Sequence, residues 1–213
     1  YNVMGKILTL IKQCLHEGDE PDIDYELLRS KDVYILGKPI SFNSSTHDPS
    51  NRLMCGFIAG DMIGKPYERR KDSIHTTNFP LFEKRSKYTD DTILTIAIMD
   101  WLMSDENYTW KILEDKIVSY ATTSKRFKGQ SRCFSEPFTD WLKEPKREKG
   151  RISDSNGAVM RVAPIGWFFN DIETVEKVAE IQASLTHNHP DAICGAKGVA
   201  VAILLARQGK SKE

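Results

Sequence analysis

The chain has no excess charge: Lys plus Arg and Asp plus Glu are both 30. No broad field therefore draws it to nucleic acid or to a membrane surface, and any anion it binds has to be held by a local site. It has no long apolar run either. The most continuous, Val199 to Ala206, is far too short to cross a bilayer. The 4 cysteines, Cys14, Cys55, Cys133 and Cys194, lie far apart and form no C-x-x-C pair, which argues against a structural zinc site or a small disulfide scaffold. Reduced thiols in a cytoplasmic compartment are the expectation. The first residues, Tyr1 to Lys6, lack the features of a secretion signal. There is no initiator Met, and Gly209-Lys210-Ser211-Lys212-Glu213 reads as one helix end followed by the cap of another. The sequence is therefore expected to be a piece of a longer polypeptide. No internal repeat is evident, and strand signals after residue 40 are weak.

What is present describes an ordinary globular protein: 213 residues, 40% hydrophobic and 28% charged, enough for one good-sized core or two small ones. Ile7, Leu8, Ile11, Cys14 and Leu15 recur at helical spacing, and Val33 to Leu36 is a candidate strand ended by Gly37 and Pro39. Asn43 to Asn51 is the best linker. A helix is expected from Pro49 to Ile63, with Gly56, Ala59, Gly60 and Gly64 suggesting close approach of another backbone or a ligand. Gly60-Asp61-Met62-Ile63-Gly64-Lys65 is not a P-loop, because it has one residue too few between its glycines and Pro66 follows the lysine. Further helices carry Trp110, Leu113, Ile117 and Tyr120 after a Thr109 cap, then Phe134, Phe138, Trp141 and Leu142, then Val175, Val178, Ala179, Gln182 and Leu185. Lys143 to Arg151 reads as a solvated charged loop.

Polar residues collect in knots at expected helix starts. Thr89-Asp90-Asp91-Thr92 precedes a largely apolar run. One oxygen suffices to cap a helix, and adjacent carboxylates repel one another unless a cation lies between them. Hard oxygens in this density suit magnesium or manganese, so capping and metal binding both stand at this point. Ser153-Asp154-Ser155-Asn156-Gly157 is a second knot, whose small residues leave amides able to hold an anion. Thr186-His187-Asn188-His189-Pro190-Asp191 is the third, with Pro190 suited to a first helical turn. The spacing of its histidines does not make them zinc ligands.

Read together with Gly60 to Glu68, Tyr88 to Thr92, Asn156 to Pro164 and Leu185 to Pro190, the knots resemble the ADP-ribosylglycohydrolase family. The resemblance covers about residues 52 to 208. It implies an all-α fold: a compact helical domain over residues 51–213, preceded by an N-terminal extension of helix plus linker over residues 1–50. It further implies a centre of two Mg2+ or Mn2+ ions, with Thr89, Asp90 and Asp91 as metal ligands, Glu68 and Asp91 as catalytic acids or bases, and Ser153, Asn156, Gly157 and His187 as contacts to ADP-ribose. The implied reaction hydrolyses the glycosidic bond that joins ADP-ribose to a modified protein or small molecule. The family's C-terminal Gly-Asp-x-Asp-Thr motif, which completes its metal site, has no counterpart in this sequence. A second reading takes the chain as an immunity-type binding protein of the same fold, whose residues 1–50 capture an ADP-ribosyltransferase. Neither reading involves nucleic acid or a membrane.

Overall fold

The computed structural model describes residues 33–35, 38–40, 49–68, 79–80, 86–123, 133–147, 150 and 153–211. The helix expected near the N-terminus and the rest of residues 1–32 lie outside these. The chain forms two compact units, divided between Lys87 and Tyr88.

In the first unit, β1 (Val33–Ile35) pairs antiparallel with β2 (Lys38–Ile40), Val33 opposite Ile40. The expected extended segment thus forms over Val33–Ile35; Leu36 and Gly37 lie outside the described residues, and Pro39, expected to end the segment, instead pairs opposite Tyr34 in β2. Helix α1 (Pro49–Gly64) follows. It takes in the last residues of the expected linker, because proline's fixed φ suits a first helical turn. A 3-10 turn, Lys65–Tyr67, ends it, and Tyr67 donates from its hydroxyl to the Pro80 carbonyl at 2.8 Å. A Cβ at Gly56, Gly60 or Gly64 would meet nothing within 4 Å among the described residues, so the close approach expected of this helix is not seen there.

The second unit is helical. Thr89 accepts the Asp91 amide on its hydroxyl at 3.3 Å and starts α2 (Asp90–Ser104), whose Ile93, Ile96, Ala97, Ile98 and Trp101 are fully buried. Apolar residues on every side make this the central helix, since burial all round suits a helix that is hydrophobic all round. Helix α3 (Trp110–Thr123) presents Leu113, Ile117, Tyr120 and Ala121 to the core. Its start is organised less by Thr109 than by Asp105, whose carboxylate accepts from the Thr109 hydroxyl at 2.7 Å and from the Asn107 amide at 3.1 Å. Buried Asp100 ties α2 to α3, accepting from the Tyr120 hydroxyl at 3.0 Å and pairing with Lys116 at 3.1 Å.

Helix α4 (Glu136–Lys143) buries Trp141 and Leu142; Phe134, expected on this helix, lies before its start and packs against Phe138 at 5.5 Å between ring centroids. Within the loop expected to be solvated, Arg147 instead lies over the Trp141 ring at 5.6 Å and bonds Glu114 at 3.1 Å. Its alkyl stem and planar head allow it to pack and pair at once. A 3-10 turn, Asn156–Ala158, leads to α5 (Ala163–Phe168), with Pro164 in its first turn. Helix α6 (Ile172–Ser184) buries Val175, Val178, Ala179, Gln182 and Ala183, and α7 (Pro190–Arg207) buries Ala192, Ala196, Ala200 and Leu204. Helix α6 packs along α7, and α5 packs on both α2 and α7. At Gly166 a Cβ would lie 2.8 Å from Ile203 Cβ and would also meet the Ala200 carbonyl, so α5 and α7 meet nearly backbone to backbone.

Candidate active-site cleft

Helix starts and connecting segments of the second unit converge on a cleft of about 490 Å3. Asp90 and Leu94 reach it from α2, Phe138 and Trp141 from α4, Ser153, Ser155, Asn156, Gly157 and Arg161 from the segment before α5, and Thr186 and His187 from the turn before α7. The Thr95 hydroxyl connects two of these pieces, donating to Asp91 O at 2.6 Å within its own helix and reaching Met160 O at 3.4 Å. Phe138 stacks on Trp141 with ring centroids 5.6 Å apart, giving the cleft an apolar wall.

A chain of hydrogen bonds organises the Ser155–His187 side. Arg161, fully buried, donates from Nε to Gln182 Oε1 at 2.8 Å and from Nη2 to Gln182 O and Thr186 Oγ1 at 2.9 and 2.8 Å. Gln182 in turn donates to Ala158 O at 2.8 Å, holding the 3-10 turn. Thr186 Oγ1 lies 2.8 Å from His187 Nδ1, and His187 Nε2 lies 2.9 Å from Ser155 Oγ. Gly157 backs the imidazole so closely that a Cβ there would come within 3.0 Å of His187 Cε1. Burial, reinforced by the positive charge of Arg161, holds the His187 pKa down at about 4. Burial also pulls Arg161 down to about 9, which leaves it charged at neutral pH.

Of the residues singled out in sequence, Asp90, Ser153, Asn156, Gly157 and His187 line this one cleft. Thr89 and Asp91 are not among its lining residues; Thr89 is buried, with its hydroxyl donating to Asp91 Oδ2 at 2.9 Å. Glu68 belongs to the first unit, where its exposed carboxylate takes Lys65 Nζ at 2.7 Å. The donor chemistry at Thr89, Asp90 and Asp91, one hydroxyl and two carboxylates, fits a hard divalent cation. It covers only part of a six-ligand shell, and among the described residues no group of three or more His, Cys, Asp or Glu gathers to complete it. Arg161, Ser155, Phe138 and Trp141 were not identified from the sequence as site residues. The available signal for Arg161 was a cation placed inside an apolar run.

A helical unit whose polar helix starts surround a cleft of ligand size is an architecture for small-molecule recognition. Residues 46–213 match the family model described as ADP-ribosylglycohydrolase. The chain belongs to the ADP-ribosylglycohydrolase family, whose fold is all-α. It is 28% identical to the bovine (Bos taurus) protein named ADP-ribosylhydrolase ARH3 over 74% of this chain and 49% of that one. It is likewise 28% identical to the human protein of the same name, covering 74% and 50%. It is 23% identical to ADP-ribosylarginine hydrolase Tri1 of Pseudomonas putida (strain GB-1), covering 78% and 48%. The chain thus spans about half the length of these curated relatives.

Proposed function

We propose that the protein is a hydrolase that removes ADP-ribose from modified proteins or small molecules, using the cleft between the start of α2 and the turns before α5 and α7. The observation that carries this reading is that Asp90 and the set Ser153, Asn156, Gly157 and His187 border a single cleft. Its volume, about 490 Å3, falls within the range of small-molecule sites. Family membership and the activities for which the relatives are named support the same reaction.

In this reading the polar turn at Ser153 to Gly157 and the His187 side chain hold the ligand, while Phe138, backed by Trp141, keeps water from one side of it. Carboxylates at Asp90 and Asp91 stabilise the positive charge that develops on the ribose as the glycosidic bond breaks. Glu68 is the further acid or base proposed for this reaction. Thr89, Asp90 and Asp91 would hold a magnesium or manganese ion, which when bound orients ribose hydroxyls and acidifies a bound water.

The test is magnesium-dependent release of ADP-ribose by the full-length gene product. Asp90→Ala and Asp91→Ala are each expected to lower the rate by at least about 100-fold without altering the helical circular dichroism. Retained turnover in both variants contradicts the assignment. Residues 1–50, on which the transferase-binding reading depends, lie mostly outside the described residues.

A further inference from the structure

Arg161 is a fully buried cation, yet its hydrogen-bond acceptors are an amide oxygen, a carbonyl and a hydroxyl, none of them a carboxylate. Arginine is donor-only, so Thr186 Oγ1 must accept from it. The Thr186 hydroxyl then has one proton of its own to place. Among the described residues His187 Nδ1, at 2.8 Å, is its available acceptor. If Nδ1 carried the proton instead, the buried Thr186 hydroxyl would be left without an acceptor, at a cost of about 1–3 kcal/mol. With Nδ1 accepting, a neutral imidazole carries its proton on Nε2 and donates it to Ser155 Oγ at 2.9 Å. Ser153 Oγ donates to Ser155 Oγ at 3.1 Å while accepting the Ser155 amide at 3.3 Å. Both lone pairs of Ser155 Oγ are then occupied, and its own proton is left to point into the cleft that Ser155 lines.

We propose that Arg161 is a positioning residue which, through Thr186, fixes His187 as the Nε2–H tautomer and so turns the exposed Ser155 hydroxyl into a dedicated donor for an anionic ligand of the pyrophosphate class. Arg161 touches no ligand in this scheme. It supplies the head of a hydrogen-bond chain whose members all donate in the direction of the cleft, and such a chain polarises along its length. The uncompensated guanidinium at its head makes the far end attractive to negative charge. Gly157 contributes by letting the Cε1–Nε2 edge of the His187 ring come close to the turn, where a Cβ would lie 3.0 Å from Cε1 and 3.1 Å from Nε2. The identity of the ligand as the diphosphate of ADP-ribose rests on the function proposed above; the tautomer does not.

Two measurements on the full chain test the proposal. Long-range 1H–15N correlation spectra, with His187 assigned by difference against His187→Gln, are expected to show His187 neutral with the proton on Nε2 at pH 7. An Nδ1–H tautomer overturns the proposal without any variant having to fold. In the second measurement, inorganic pyrophosphate, ADP-ribose and adenosine are titrated calorimetrically into wild type, Thr186→Val and Thr186→Ser. The valine variant is expected to lose the single-tautomer pattern and to bind pyrophosphate and ADP-ribose about tenfold more weakly. Adenosine affinity should hold, and the serine variant should restore both the pattern and the affinity. Unchanged anion affinity in Thr186→Val overturns the proposal, as does equal weakening for adenosine. If wild type binds pyrophosphate with His187 as assigned but does not bind ADP-ribose, the positioning role stands and the hydrolase reading falls.

Discussion

Gly157 shows how narrowly the cleft is built at the level of single residues. A methyl group there would press on His187 Cε1 at 3.0 Å and on Nε2 at 3.1 Å, and the ring is held from both nitrogens. Gly157→Ala is expected to weaken ADP-ribose binding about tenfold while costing only about 1 kcal/mol of stability, as read by calorimetry and urea denaturation. Gln182 is the opposite case, remote from ligand and central to the fold. Gln182→Ala would leave Arg161 Nε and the Ala158 carbonyl without partners. A loss of about 2–3 kcal/mol is expected, because a buried charge loses an acceptor as well as a cavity opening; a change below about 0.5 kcal/mol would contradict it. The sequence named Gln182 as one position of an apolar helix face and Arg161 as part of a motif. It could not pair them, because residues so far apart in the chain meet only after α6 and the segment before α5 have packed.

Among the elements, α5 meets α7 nearly backbone to backbone, and this crossing depends on Gly166. Gly166→Ala drives a Cβ into Ile203 and the Ala200 carbonyl and is expected to destabilise the protein by about 3 kcal/mol. Gly198, on α7 itself, has nothing within 4 Å of its would-be Cβ among the described residues, so Gly198→Ala should stabilise by about 0.5–1 kcal/mol through helix propensity alone. Thermal unfolding of the two variants should therefore move in opposite directions. Helices were the most legible level of this sequence. Period-3.6 spacing marked the faces of α3 and α6, and the polar knots at Thr89, Ser153 and His187 each proved to sit at the start of a helix or 3-10 turn. What spacing could not show was which neighbour a polar group would find. Thr109 looks like a cap, yet Asp105 accepts from it; Arg147 reads as loop charge, yet it packs on Trp141. The choice of partner depends on tertiary proximity.

For the molecule as a whole, several titrating groups point to instability in acid. The folded state holds His187 at about 4, below its ordinary 6.5, so between those values the unfolded chain binds the extra proton. Stability must then rise with pH across that window, and this contribution is lost as pH falls from 6.5 towards 4. For Asp105, burial raises the pKa, but hydrogen bonds from the Thr109 hydroxyl and amide and the Asn107 amide outweigh it and leave the carboxylate below its usual value. Asp171 is lowered by the Thr174 amide. These two contribute stability that is fully present above the ordinary carboxylate range and disappears as pH falls through their folded values. Urea denaturation from pH 8 to pH 3 should show a loss beginning near pH 6.5, and His187→Gln should remove that first part.

The central claim is that one cleft, bordered by Asp90, Asn156 and His187, receives ADP-ribose. Calorimetric titration of ADP-ribose into the full chain, wild type against Asn156→Ala and His187→Ala, tests it most directly. Saturable binding at one site, weakened at least about tenfold in each variant with circular dichroism unchanged, is the predicted result. Binding that survives both substitutions intact, or no binding by the folded wild type, would contradict it.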